Sequence, residues 1–190
     1  MKNALIVLMV VSMMLGVTGV ALAGTEKGDK EIQIQGAISR QTDSETDREQ
    51  NTTSIQLNFN YFFTSNLSIG GTWWGNSTVS KSDSGDESTI TSNFLLLRGD
   101  FYLGSATSKL MPYIGVQVGQ SMYTFEAGDF DDSGSTSAYG WHGGLKIFAS
   151  ENTSWNFEIN STTYTPDVDS GEEEIDYTNT QFLLGFSYYF

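Results

Sequence analysis

Eight stretches of the chain alternate apolar with polar or small side chains at a period of two, and no other feature restricts the fold as strongly. Successive side chains of a strand point to opposite faces, so each stretch reads as a strand with two unlike faces. The first sets Ile32, Ile34 and Ile38 against Gln33, Gln35 and Ser39. The second sets Ile55, Leu57, Phe59, Tyr61 and Phe63 against Gln56, Asn58 and Asn60. Leu67, Ile69 and Trp73 then oppose Ser68, Gly70 and Thr72, and Leu95, Leu97 and Phe101 oppose Arg98, Asp100 and Tyr102. The fifth opposes Ile114, Val116 and Val118 to Gly115, Gln117 and Gly119, and the sixth opposes Trp141, Leu145 and Ile147 to His142, Gly144 and Lys146. Trp155, Phe157 and Ile159 face away from Asn156, Glu158 and Asn160, and the last strand carries Phe182, Leu184, Phe186, Tyr188 and Phe190 on one face.

The connections alternate in length. Short links near Thr64–Asn66, Gly104–Leu110 and Ser150–Thr153 contrast with longer polar ones near Thr42–Thr52, Ser80–Thr89, Glu126–Ser137 and Thr165–Asp176. Short turns on one side and long loops on the other predict an all-β, eight-stranded antiparallel up-and-down transmembrane β-barrel with both termini at the short-turn end. Twenty glycines and two prolines, with abundant Thr, Tyr, Phe and Trp, suit strands better than helices. The chain has no cysteine, so neither disulfides nor thiolate-bound metal can hold it together.

Residues 1–23 read as a signal peptide. Lys2 precedes the apolar run Ala4 to Leu15, and Val20-Ala21-Leu22-Ala23 places small or aliphatic residues where a leader is cut. The run is shorter than the roughly 20 residues that span a bilayer. Residues 24–190 form one predicted barrel domain. Loss of Lys2 takes the formal charge from −14 to −15, which excludes a nucleic-acid partner.

Alternation alone fits a soluble carrier barrel as well as a membrane one, since both have one apolar and one polar face. The small residues Gly70, Gly115, Gly119, Gly140, Gly144 and Gly185 share the polar face, as the crowded interior of a narrow barrel requires. No Lys or Arg interrupts the apolar face in these segments; one at mid-bilayer would cost about 2–4 kcal/mol. Tyr61, Phe63, Phe101, Trp155, Tyr188 and Phe190 fall near the short turns and Trp73, Tyr139 and Trp141 near the long loops, the placing of two interfacial girdles. Parity then puts Arg98, Asp100, Lys146, Glu158 and Gln117 inside. Lys146 and Glu158 lie nearly symmetrically about the turn at Ser150–Thr153 and are expected to be cross-strand neighbours in a charged interior network. Seventeen of the 23 acids fall in the four long loops, so these loops are predicted to be strongly acidic.

The C-terminal run Gln181-Phe182-Leu183-Leu184-Gly185-Phe186-Ser187-Tyr188-Tyr189-Phe190 resembles the signal by which the barrel-assembly machinery recognises its clients, with Gly185, Phe186, Tyr188 and Phe190 as its main positions. Leu97-Arg98-Gly99-Asp100-Phe101-Tyr102, Pro112–Gly119 and Tyr139–Leu145 resemble strands of the OmpA-like and OmpX-like eight-stranded outer-membrane proteins. That resemblance implies a monomeric barrel of the bacterial outer membrane, in contact with lipid and lipopolysaccharide. It also implies adhesion, resistance or envelope integrity as the role, exercised through an external ligand or receptor at the loops.

Candidate chemistry is sparse. Some small outer-membrane barrels resemble lipid A deacylases or palmitoyl transferases, but the one histidine, His142, is followed by Gly143-Gly144 instead of the deacylase His-x-Ser. It reads as a packed interior residue, and the chain as non-enzymatic with no cofactor. Asp129, Asp131 and Ser133, followed by Gly134, match the first half of a calcium loop, although position 12 is Gly140 and not Glu. A narrow pore is a further reading, opposed by Trp74, Tyr102, Phe148 and Tyr189 on the interior face. A soluble lipocalin-like carrier of a small apolar ligand is the rival from another class.

Overall fold

The structure is a computed structural model that describes residues 25–43, 48–81, 87–104, 108–127, 130–165 and 176–190. The predicted leader lies outside them. The described elements are the eight strands β1 (Lys30–Asp43), β2 (Arg48–Thr64), β3 (Leu67–Lys81), β4 (Glu87–Tyr102), β5 (Leu110–Ala127), β6 (Phe130–Ser150), β7 (Thr153–Tyr164) and β8 (Tyr177–Tyr189). Each pairs antiparallel with its neighbours in chain order, and β8 returns to β1 to close an up-and-down barrel. All eight predicted strands are present.

The two faces separate as the alternation predicts. Gln33, Gln56, Asn58, Arg98, Asp100, Gln117, Lys146 and Glu158 are buried inside, while Ile34, Ile55, Phe59, Leu97, Val116 and Trp141 are at least half exposed on the outer wall. An exposed aliphatic wall around a polar interior is stable only where the outer solvent is lipid. The inward glycines let the strands come together. A β-carbon at Gly115 would overlap His142 Nε2 and lie 2.6 Å from Asp100 Oδ1, whereas one at the outward Gly71 would meet nothing within 4 Å.

Two register shifts sit beside short turns, at Phe62/Thr64 and at Phe148/Ser150. Ser150 pairs with Thr153, which joins an even to an odd position. Leaving Ala149 unpaired restores Phe148 to Ser154, so every later pair in that hairpin keeps like faces together.

The strands are longer than the sequence suggests at the far end. β5 and β6 pair up to Ala127 and Phe130, so most of the expected loop Glu126–Ser137 is hairpin. β1 and β2 likewise pair to Asp43 and Arg48, and β3 and β4 to Lys81 and Glu87. Polar residues on both faces conceal such extensions, because a strand that rises beyond the bilayer no longer needs an apolar side. The closing ladder, in contrast, is short. β1 meets β8 from Glu31 and Tyr189 to Gly36 and Leu184, and among the described residues no pair continues it above Gly36.

Candidate functional site

Hydrogen bonds and ion pairs fill the interior in tiers. At the centre, Arg98 Nε donates to Asp100 Oδ1 at 3.0 Å and Arg98 Nη2 donates to Glu158 Oε2 at 2.9 Å. Tyr113 OH and Gln56 Nε2 also donate to the Glu158 carboxylate, at 2.7 and 3.2 Å. His142 Nε2 lies against Asp100 Oδ1 at 2.5 Å, and Ser68 Oγ donates to Asp100 Oδ2 at 3.3 Å. Arg98, Asp100, Glu158 and His142 come from β4, β6 and β7, so this one cluster ties three strands across the lumen.

The tier towards the short turns centres on Lys146. Its ammonium donates to Glu31 Oε1 and lies 5.1 to 5.5 Å from the ring centroids of Tyr102, Tyr113 and Tyr189, within cation–π range. Asn60 Nδ2 and Tyr189 OH donate to the same carboxylate at 2.9 and 3.0 Å, and Ser187 Oγ joins them. Around this pair Phe62, Tyr102, Met111, Tyr113, Phe148 and Tyr189 pack into one cluster. At the opposite end Trp74 stacks on Phe94, 4.4 Å between centroids, with Leu96, Ala138 and Tyr164 around them. Side chains therefore close the lumen at two levels and bridge it between them.

The positions expected inside are inside, but their partners differ. Lys146 stands opposite Asn156, and Glu158 opposite Gly144, so the expected Lys146–Glu158 pair does not form. The unpaired Ala149 displaces the register that turn symmetry suggested. Lys146 takes Glu31 and Glu158 takes Arg98. Glu31 was missed, although it shares parity with Gln33 and Gln35 and could have been found by extending that alternation one step. Gln117 joins Asn160 and Thr162 at 2.9 and 2.6 Å and not the charged groups.

Asp131 and Ser133 belong to β6, opposite Glu126 and Thr124, and Asp129 lies outside the described residues. An extended strand cannot wrap successive oxygens round an ion as a calcium loop does. Among the described residues, no three His, Cys, Asp or Glu side chains come together to hold a metal ion. In the terminal strand Phe186, Tyr188 and Phe190 face outward and are exposed, and Gly185 faces Gln35 across the β8–β1 ladder.

The model of the outer membrane protein beta-barrel domain family matches residues 7–190. The chain belongs to this family. No curated protein matches it. Among solved structures it is similar to Ail, the attachment invasion locus protein of Yersinia pestis, in complex with the heparin analogue sucrose octasulfate. The two are 16% identical, with a TM-score of 0.56 over 86% of this chain and 99% of Ail. Neisserial surface protein A is 12% identical, with a TM-score of 0.51 over 86% and 98% of the two chains. AlkL, solved in lipid bilayers, is 18% identical, with a TM-score of 0.51 over 88% and 92%. At these identities the likeness concerns the fold.

Membership in this outer-membrane barrel family places the protein in the bacterial outer membrane. It also decides between the two barrel readings. A soluble carrier of an apolar ligand would need its apolar face inside, whereas this interior holds Arg98, Asp100, Lys146 and Glu158, all at most 2% exposed.

Proposed function

We propose that the protein is a non-enzymatic, monomeric outer-membrane barrel that acts outside the cell, through the acidic hairpins on its long-loop side, in surface contact or envelope integrity. The observation that carries this reading is the filled interior. A lumen bridged by Arg98, Glu158, Asp100 and His142 and closed by aromatic clusters on either side offers solutes no continuous aqueous route, which argues against a pore. It does make a rigid base for hairpins, since buried ion pairs tie distant strands together.

Eleven of the 23 acids fall in the four segments that join β1 to β2, β3 to β4, β5 to β6 and β7 to β8, and six more, Asp43, Glu49, Glu87, Glu126, Asp131 and Asp132, lie on the strand ends beside them. The Ail structure holds a polysulfated sugar, but a rim of this composition repels sulfates and favours cationic surfaces. The partner is accordingly a basic protein patch, or lipopolysaccharide phosphate bridged by divalent ions. Delivery depends on a leader at residues 1–23 and on recognition of Phe186, Tyr188 and Phe190 by the barrel-assembly machinery.

The test uses outer-membrane vesicles carrying the protein, with fluorescent polylysine as a cationic probe. Neutralising Asp167, Asp169, Glu172, Glu173, Glu174 and Asp176 to their amides is expected to weaken probe binding several-fold at low salt. Binding identical to that of the parent, or to vesicles without the protein, would reject the acidic rim as the contact surface.

A further inference from the structure

The seam between the first and last strands is open in its upper half. β1 continues to Asp43 along β2 and β8 begins at Tyr177 along β7, yet the β1–β8 ladder stops at Gly36 and Leu184. Above that pair, among the described residues, both strands present an unpaired edge towards each other.

Voids lie on both sides of the split. Outside, an apolar groove of about 710 Å³ runs past Ile38, Phe157, Ile159, Phe182 and Leu184. Inside, a polar pocket of about 440 Å³ at the mouth is lined by Thr52, Asn76, Thr78, Ser92 and Tyr164 together with the unbroken run Tyr177–Gln181. Tyr177–Gln181 is the part of β8 that lies beyond its last pair with β1, so the pocket borders the split. The groove is also lined by Ala37 and Leu183, the first residues of β1 and β8 beyond their last pair, and the pocket by Gln181 two positions further along β8, so both voids border the split.

The split begins within the lipid-facing band. Ile38 and Phe182, 79% and 75% exposed, are the most exposed large apolar side chains among the described residues, and they flank it. The row Phe182, Ile159, Gly143 lies just below the row Thr180, Ser161, Trp141, which bears an aromatic of the upper girdle. An open sheet edge in hydrocarbon leaves N–H and C=O groups unsatisfied at several kcal/mol each, and is tolerated only where it borders a polar cavity or a partner. Gln181 Oε1 is a further buried acceptor with no hydrogen-bond partner. Among the described residues no pocket-lining side chain carries a charge at neutral pH, and the stacked Trp74 and Phe94 beside Tyr164 close the lumen beyond it.

We propose that this seam binds an amphiphile end-on across the barrel wall: a neutral, hydroxyl-bearing head sits in the mouth pocket and bonds the strand edges and Gln181, while a single acyl chain lies in the outer groove. Hydroxyls suit the site because they both donate and accept, as the two exposed edges require. An ionic head would lose its hydration among uncharged residues without gaining a counter-charge. The site is independent of the acidic hairpins, and either reading can fail alone.

The probe is radiolabelled 1-monooleoylglycerol, offered to the full-length barrel in lauryldimethylamine oxide micelles, with oleate and methyl oleate as competitors. Saturable retention near one per barrel is expected, with each competitor at least tenfold weaker. Ala37→Cys with Leu183→Cys extends the register by one pair in a chain free of cysteine, so oxidation closes the seam and reduction reopens it. Retention should fall at least tenfold on oxidation and return with reductant. Should that disulfide not form, Gln181→Leu, checked for folding by heat-modifiable mobility, is expected to bring monooleoylglycerol and methyl oleate to within a factor of two. Non-saturable uptake, equal retention by the oxidised and reduced forms, or unchanged discrimination in Gln181→Leu would each overturn the proposal.

Discussion

Lys146 on β6 is paired with Glu31 on β1, 115 positions away in the chain, although Glu158 stands much closer to it in sequence. Both partners are fully buried, so the pair spans the lumen and fastens the first strand of the barrel to the sixth. The two members are not equally dependent on each other. Glu31 keeps donors from Asn60, Ser187 and Tyr189, whereas Lys146, among the described residues, hydrogen-bonds to Glu31 and otherwise lies against the rings of Tyr102, Tyr113 and Tyr189.

Glu31→Gln is therefore expected to destabilise the barrel by about 3–5 kcal/mol, the usual effect of leaving a buried charge without its counterpart. Lys146→Met should cost less, and the double variant less than the sum of the singles. Guanidinium unfolding in micelles, followed by tryptophan fluorescence, gives all three values. Strict additivity would show that the two groups do not interact.

Gly115→Ala is expected to hinder folding while Gly71→Ala leaves it unchanged. A methyl at position 115 would collide with His142 and lie 2.5 Å from the Gly99 carbonyl oxygen, which is backbone and cannot yield, but position 71 opens onto the outer wall. Overpacking of this kind costs about 1–3 kcal/mol. The unboiled, heat-modifiable band on gels should diminish for the first variant only, and equal bands would contradict the crowded interior.

The filled lumen makes a prediction about current. Wild-type protein in planar bilayers should show no sustained conductance. Arg98→Ala with Glu158→Ala removes the central bridge and should admit small, brief openings. Steady wild-type channels would mean that the aromatic tiers move aside, and the surface-contact reading would give way to a pore.

Some of this architecture is legible in the residues alone. Alternation at Ile55 to Phe63 or Phe182 to Phe190 is visible because lipid and lumen impose opposite demands on neighbouring side chains. The inward placing of Arg98 and Lys146 follows from the same parity. Their partners do not. The turn pair Ser150–Thr153 and the single unpaired Ala149 set Lys146 opposite Asn156, and the choice of Glu31 depends on distances across a closed barrel, which no local pattern encodes. The tall hairpins above the bilayer are hidden because Ser133 or Thr136 suits a strand and a loop equally well. The open seam is equally hidden, since Ala37 to Asp43 and Tyr177 to Leu183 resemble paired strands in every residue.

Barrel closure by Phe190 and its proposed recognition by the assembly machinery can be separated by one experiment. Its N–H and C=O exchange hydrogen bonds with Lys30 at 3.0 Å each, and its ring stacks beside Tyr188 on the outer wall at 6.2 Å between centroids. Deleting Phe190 removes two of the bonds at the closing ladder, a ladder already short, yet leaves the six pairs from Glu31 and Tyr189 to Gly36 and Leu184. A net contribution of about 1 kcal/mol per hydrogen bond predicts a modest loss for refolding in detergent micelles. If the terminal aromatic is also read by the assembly machinery, the defect in cells must be much larger than that. The expected result is near-normal refolding in vitro beside at least a tenfold drop of folded protein in the outer membrane. Phe190→Tyr keeps a terminal aromatic and should restore most of it. Parallel losses in micelles and in cells would assign Phe190 to barrel closure alone.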